Sequence, residues 1–133
     1  MQDYEFLMRK ANEAKLKAYA PYSNFRVGAA LMTKDGKIFE GANIENAVFG
    51  AGTCAERSAF SVAISNGERA FSAIAISGDC ESECFPCGIC RQVMREFCNG
   101  DFVIALSDHG HIKTYTLNDL LPYSFGSEKL TDR

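Results

Sequence analysis

Two short cysteine-bearing segments constrain the fold of this chain more than any other feature. One is Thr53-Cys54-Ala55-Glu56-Arg57, at the start of a predicted helix over residues 53–65. The other is Pro86-Cys87-Gly88-Ile89-Cys90, at the start of a predicted helix over residues 88–98. If these thiols bind one metal ion, the N-terminal ends of the two helices must face each other.

The cysteine count favours metal binding or catalysis over disulfides. Six of the 133 residues are cysteine, which is well below the roughly 8–10% of a disulfide scaffold. Clustered cysteines in a reducing compartment more often bind metal or catalyse than pair with one another. The first ten residues, MQDYEFLMRK, lack the apolar core of a signal peptide. No apolar run approaches the ~20 residues of a membrane span, so we expect a cytoplasmic protein with no membrane partner.

The charge balance excludes another class of partner. The chain has 14 basic and 17 acidic residues, for a net charge of −3. Such a surface has no electrostatic attraction for a phosphate backbone, so a nucleic acid polymer is not an expected partner. Hydrophobic residues make up 47% and charged residues 23%, which is the composition of a globular domain.

Hydrophobic periodicity and turn signals predict the element order α-β-β-α-β-α-β-β. The predicted helices cover residues 4–19, 53–65 and 88–98, and the predicted strands cover residues 25–31, 38–42, 71–76, 102–106 and 112–116. Asp35-Gly36 predicts a hairpin between the first two strands, and residues 107–110 predict one between the last two. A last helical turn is expected near residues 118–121. We therefore predict one α/β domain over residues 1–133, with three α-β-α layers and a mixed five-stranded sheet.

The spacing of the cysteines suits zinc. Cys87-x-x-Cys90 places two thiols within one helical turn, as two ligands of a tetrahedral ion require. Cys54 offers a third thiol from the other helix, and three protein ligands plus water is the catalytic pattern of zinc. Three thiolates make such a site electron-rich, so Arg57 and Arg91 are candidates to offset their charge.

Glu56 has two interpretations. A carboxylate beside the open metal position can take a proton from water and deliver it to a substrate nitrogen. Thr53-x-x-Glu56 also fits a capping box, in which the carboxylate only closes the helix start. The local sequence leaves both open, and the combination with Pro86-Cys87-x-x-Cys90 favours catalysis.

That combination resembles the signature of the zinc-dependent deaminases. The resemblance covers nearly the whole chain and is to the small, homotetrameric, three-cysteine cytidine deaminases that act on free nucleosides. It is also carried by the segments Ala20–Phe25, Val27–Ala30, Gly41–Ala47 and Leu120–Pro122. It implies hydrolytic deamination of cytidine and 2′-deoxycytidine, with one Zn²⁺ per chain and active sites shared between the chains of a homotetramer.

The resemblance implies a role for each matching residue. Cys54, Cys87 and Cys90 would bind zinc, and Arg57 would offset thiolate charge. Glu56 would move protons between water, N3 of the base and the leaving amine. Asn43 and Glu45 would hydrogen-bond the ribose hydroxyls, and Phe125 would reach into a neighbouring chain's pocket and contact the base. Phe25 would pack against the nucleoside, and Ala55 is the remaining substrate contact that the resemblance implies.

Two residues depart from the family pattern. Phe49 stands where tyrosine is common, and the lost hydroxyl would remove a polar contact near the subunit interface. Phe85 stands where a small residue is more usual, so the edge of the pocket is expected to differ.

The remaining cysteines allow two other metal sites. Cys80-x3-Cys84-x2-Cys87 matches the spacing of radical S-adenosylmethionine enzymes, and the same residues with Cys90 could close a four-thiol zinc site. The first of these leaves Cys54 and Glu56 without roles. We instead expect Cys80 and Cys84 to be free thiols in a flexible loop.

Cys98 is expected to pack at the end of the third helix. Rival functions are a deaminase of a modified cytosine nucleoside, such as blasticidin S, and a non-catalytic binding module stabilised by zinc. His109 and His111 are expected to be turn residues and not ligands.

Overall fold

The computed structural model describes residues 3–131, so residues 1–2 and 132–133 of the predicted domain lie outside the described range. The strands are β1 (Val27–Thr33), β2 (Ile38–Ala42), β3 (Phe71–Gly78), β4 (Val103–Asp108) and β5 (His111–Thr116). The helices are α1 (Glu5–Lys15), α2 (Ala55–Ser65), α3 (Gly88–Phe97), α4 (Leu117–Leu120) and α5 (Glu128–Thr131). A short 3₁₀ turn, Phe49–Ala51, precedes α2. This order confirms the predicted sequence of elements and adds α5 to it.

The sheet has five strands in the order β2-β1-β3-β4-β5. Only β3 and β4 pair in parallel, and the other three pairs are antiparallel, so the predicted mixed sheet is confirmed. In the last hairpin Asp108 pairs with His111 across a two-residue turn. His109 and Gly110 in that turn have φ values of 50° and 85°, as a tight hairpin requires.

Alternation along the central strands separates small from large side chains. Four strand alanines form a cluster with Leu7, Met8 and Ala11 of α1: Ala30, Ala73, Ala75 and Ala105. The larger neighbours point to the opposite face, where they pack around Phe60 of α2 and Met94 of α3. Helices therefore cover both faces of the sheet, which confirms the predicted α-β-α layers.

A close approach at Gly41 sets the position of α2. A Cβ atom on this residue of β2 would lie 2.4 Å from the backbone nitrogen of Ala59 and 2.6 Å from the carbonyl oxygen of Ala55. The missing side chain lets the first turns of α2 rest directly on β2. The N-terminal end of α2, which carries Cys54 and Glu56, is thereby held against the sheet.

Two predicted helix boundaries were wrong for one reason. The first helix ends at Lys15 and not at residue 19, because Tyr19 forms a bridge with Ile44. The second begins at Ala55 and not at Thr53, because Thr53 pairs with the same Ile44. Long-range backbone pairing took these residues out of the helices that their local sequence favours.

Among residues 3–131, no helix combines the length and apolar character that a membrane crossing requires.

Candidate active site

The N-terminal ends of α2 and α3 bring three thiols together. Cys54 is the N-cap residue of α2 and Cys87 is the N-cap residue of α3, and neither side chain caps its helix. Cys90 lies in the first turn of α3 and is 1% exposed. The three Sγ atoms lie within 4.8 Å of one another, and those of Cys87 and Cys90 are 3.4 Å apart. In residues 3–131 this is the only group of three or more metal-ligating side chains so arranged.

This donor set fits zinc on its own geometry and charge. Thiolates bind zinc at about 2.3 Å, so tetrahedral ligands stand about 3.8 Å apart, which a cluster of this size can supply. The thiols also compete for protons: hydrogen bonds from Cys90 and Arg57 lower the pKa of Cys54 to about 5. The hydrogen bond between Cys54 and Cys90, together with burial, raises the pKa of Cys90. Three thiolates this close need a cation between them to be ionised together.

The two arginines next to the ligands differ in what they contact. Arg57 donates from Nη2 to the Sγ of Cys54 at 3.3 Å, so its charge lies against the thiol cluster. Its Nε is buried without a hydrogen-bond partner. Arg91 instead donates to the carbonyl oxygens of Pro86 and Leu120, each at 2.7 Å. Arg91 therefore ties the start of α3 to the end of α4, and the sulfur contact expected for it does not form.

Glu56 is free for chemistry because the alternative role in helix capping is not realised. Cys54, and not Thr53, is the N-cap residue of α2, and it makes no side-chain capping bond. The carboxylate is 5% exposed. Burial raises its pKa to about 7, with a further contribution from the charge of Cys54. A carboxylate with such a pKa can both accept and donate a proton near neutral pH.

A cavity of about 610 Å³ opens over these groups. Its wall combines the reactive groups Cys54, Glu56 and Cys87 with a polar region around Asn43 and Glu45. The first group lies at the helix N-termini, and the second lies where the chain leaves β2. A cavity of this volume with convergent polar groups suits one small molecule.

Backbone pairing holds Asn43 and Glu45 on the same side of the chain. The amide nitrogen of Tyr19 donates to the carbonyl of Asn43 at 2.9 Å, and that of Glu45 donates to Tyr19 at 2.8 Å. In this extended stretch, residues two apart point the same way. Both side chains therefore line the cavity together.

Both side chains also have structural partners. Asn43 accepts from the amide of Val27 and donates to the carbonyl of Phe25, each at 2.9 Å. Glu45 accepts from the amides of Tyr22 and Ser23 at 3.0 and 3.1 Å and from the Ser23 hydroxyl. The Ser23 hydrogen bonds hold the pKa of Glu45 below its usual value. Each side chain keeps a lone pair for a hydroxyl donor.

The other predicted substrate residues lie in three different places. Ala55 is fully buried and lines the cavity. Phe25 is not among the lining residues, and its ring lies over Gly78 at the end of β3. Phe125 is 58% exposed and also lies outside this cavity, while Gln92 donates to its carbonyl oxygen.

Cys84 is a cavity residue that the sequence analysis missed. Its side chain packs against the core and lines the cavity beside Glu56, and burial raises its pKa to about 11. The side chain therefore does not extend into solvent, as the expected loop thiol would. Its position three residues before Cys87 was a local signal of proximity to the site. That spacing was instead interpreted as a radical S-adenosylmethionine motif or a four-thiol zinc site.

In the described part of the chain, the remaining cysteines and histidines belong to no cluster of three or more metal-ligating side chains. Cys80 is exposed and its Sγ contacts the carbonyl of Ser82, so the four-thiol alternative does not form. Cys98 is buried and follows directly after α3, as predicted. His109 lies in the turn between β4 and β5, also as predicted, but His111 is the first residue of β5.

Comparisons with known proteins agree with this geometry. The family described as "Cytidine and deoxycytidylate deaminase zinc-binding region" matches residues 1–106. The cytidine deaminase of Sporosarcina psychrophila is 46% identical over 97% of this chain and 96% of that protein. The crystal structure of cytidine deaminase from Burkholderia pseudomallei has a TM-score of 0.89 and 45% identity, over 93% of this chain and 100% of that one. The crystal structure of cytidine deaminase from Mycobacterium tuberculosis has a TM-score of 0.84 and 37% identity, over 95% and 99% of the two chains.

Proposed function

The chain belongs to the cytidine and deoxycytidylate deaminase family, and on this premise we propose that it converts cytidine and 2′-deoxycytidine to uridine and 2′-deoxyuridine. The reaction consumes one water molecule and releases ammonia. The observation that carries the proposal is the buried Glu56 in one cavity with Cys54 and Cys87, two of the three clustered thiols. In this proposal, residues 1–133 form one deaminase domain.

Cys54, Cys87 and Cys90 would hold one zinc ion per chain. Three protein ligands leave a fourth coordination position open, which distinguishes a catalytic site from a structural one. Zinc in such a site lowers the pKa of water, so that a nucleophile is available at neutral pH. Arg57 would offset the excess negative charge of the thiolates through its contact with Cys54. The three thiols must stay reduced, which favours a cytoplasmic location.

Glu56 would carry every proton of the reaction. It takes a proton from the attacking water and delivers it to N3 of the base as the oxygen bonds to C4. It then transfers the second proton of water to the amine, which leaves as ammonia. Burial supports both steps, because it raises the pKa of the carboxyl to about 7.

Asn43 and Glu45 would recognise the sugar. Ribose hydroxyls are donors, and each of the two side chains retains an acceptor position that its structural bonds do not use. A site built to accept hydroxyl donors rejects molecules that lack them. Free cytosine base should therefore be a poor substrate. Ala55 would contact the substrate from the start of α2. Phe25, whose carbonyl oxygen accepts a hydrogen bond from Asn43, would hold that side chain in position.

The direct test is the loss of cytidine ultraviolet absorbance on mixing with the purified protein. Cytidine and 2′-deoxycytidine should both be consumed, with one ammonia released for each nucleoside, and cytosine should not. Turnover of blasticidin S in place of cytidine would support the modified-nucleoside rival. A zinc-containing protein that leaves all of these molecules unchanged would be a binding module.

A homotetramer with shared active sites is supported by apolar side chains around the cavity mouth. Phe49 is 85% exposed, Val48 is 68% exposed and Ile44 is 51% exposed. Phe49 also lies edge-on to Tyr22, with ring centroids 6.5 Å apart. Exposed apolar side chains that adjoin one another mark an interface more often than free surface. Phe125 is exposed and outside its own cavity, which supports the inference that it would reach the cavity of a neighbouring chain.

Replacement of Phe125 tests the sharing of sites. Phe125→Ala should raise the KM for cytidine about tenfold, because a desolvated aromatic contact to the base is lost. The subunit should still fold, as circular dichroism would show, since the ring is exposed within its own chain. Leu130→Ala removes another exposed apolar side chain of the C-terminal region and serves as the control. An unchanged KM in Phe125→Ala would place Phe125 outside the active site.

A further inference from the structure

Phe85 is an aromatic residue in the cavity wall that the deamination chemistry above does not use. It lies in the loop of residues 79–87, between β3 and α3, two positions before Cys87. It lines the same cavity as Glu56 and Cys54, and it is 43% exposed. Its ring therefore lies at the open side of the cavity, and the residue is close in sequence to Cys87.

Tyr115 supports the Phe85 ring. Tyr115 of β5 packs against it with ring centroids 5.3 Å apart and an interplanar angle of 59°. The Tyr115 hydroxyl in turn donates to the carboxylate of Glu83 in the same loop. Because a strand of the sheet backs the ring, Phe85 is a fixed surface and not a mobile loop side chain. We call Phe85 and Tyr115 together the aromatic wall.

The position of the aromatic wall indicates which part of a pyrimidine it faces. The reacting carbon C4 lies between N3 and C5 in the ring. If Glu56 of α2 serves N3, the C5 edge turns away from α2. Cys84 lies beside Glu56, whereas Phe85, at the end of the same loop and next to Pro86 and Cys87, lines the cavity from the start of α3. Phe85 thus lies where a substituent on C5 would project.

We propose that Phe85, backed by Tyr115, is a specificity-determining residue that contacts the base and limits the size of the C5 substituent. This inference rests on the proposed cytidine deaminase function. An apolar ring at this place favours the unsubstituted C–H edge of cytosine and excludes bulkier groups by contact. A side chain smaller than phenylalanine would leave space there.

The test compares cytidine with 5-methylcytidine as substrates of Phe85→Ala and Phe85→Leu. In Phe85→Ala, the KM for cytidine should rise about tenfold, with kcat within about threefold of the parent. The ratio of kcat/KM for 5-methylcytidine to that for cytidine should rise at least tenfold. Phe85→Leu keeps part of the apolar surface and should give intermediate values of both quantities.

Phe6→Ala is the matched control, because Phe6 is also aromatic and 49% exposed but lies on α1, outside the cavity. It should leave KM and the substrate ratio unchanged. A parent protein that does not consume cytidine would overturn the proposed function. An active parent whose Phe85→Ala variant keeps the same KM and the same ratio would overturn only the role of Phe85. A fall in kcat alone, with both other quantities unchanged, would also overturn it.

Discussion

Glu56→Gln should reduce the kcat for cytidine at least about 100-fold while the protein keeps its zinc. Glutamine has the size of glutamate but cannot accept a proton from water, and positioned general acid–base groups contribute about 100- to 10,000-fold. The zinc ligands are three cysteines, so loss of the carboxylate removes none of them. Steady-state kinetics and metal analysis of the same sample measure both quantities.

Stability provides a second measurement on the Glu56→Gln variant. Burial of the carboxylate raises its pKa to about 7, which means that the fold destabilises its charged form. The neutral amide avoids this cost, so the thermal midpoint of the metal-free protein should stay the same or rise. Glu96→Gln is the control, because Glu96 is an exposed residue of α3 outside the cavity. Full activity in Glu56→Gln would exclude the proton-transfer role.

Cys87→Ser should lower zinc content at least tenfold and lower turnover by the same factor. A serine hydroxyl remains protonated near neutral pH and replaces a thiolate poorly as a zinc ligand. Cys87 is exposed and caps no helix through its side chain, so its replacement should not prevent folding. Metal analysis and circular dichroism distinguish zinc loss from unfolding.

The chain contains a matched control for this substitution. Cys80→Ser makes the same chemical change at another exposed cysteine, in the loop that precedes Cys87. It should keep both zinc and activity, because Cys80 lies outside the thiol cluster. If Cys80→Ser lost zinc and Cys87→Ser retained it, the assignment of the metal site would be wrong.

The order of elements and the mixed sheet could be predicted from the sequence because their signals are local. Short, largely apolar stretches indicate β1, β3 and β4, whose side chains are buried on both faces of the sheet, and Asp35-Gly36 indicates the first hairpin. Cys87-x-x-Cys90 also needs only one helical turn to bring its thiols together. The approach of Cys54 to that pair was inferred from zinc chemistry, since three thiols need a common ion.

Long-range contacts account for what local sequence did not predict. The bridges of Ile44 with Tyr19 and Thr53 shortened two predicted helices. The bonds of Asn43 to β1 and of Glu45 to Ser23 join segments about twenty residues apart, and no local pattern indicates them. The packing of Cys84 against the core likewise depends on how its loop returns over Gly78.

Addition of zinc to the metal-free protein, with cytidine turnover recorded at each step, tests the central claim most directly. The account predicts that turnover is absent without metal and rises linearly until one zinc ion is bound per chain. Glu56→Gln should take up the same amount of zinc without gaining comparable activity. Cytidine turnover at full rate in the metal-free protein would contradict the account, as would a zinc-loaded protein that leaves cytidine unchanged.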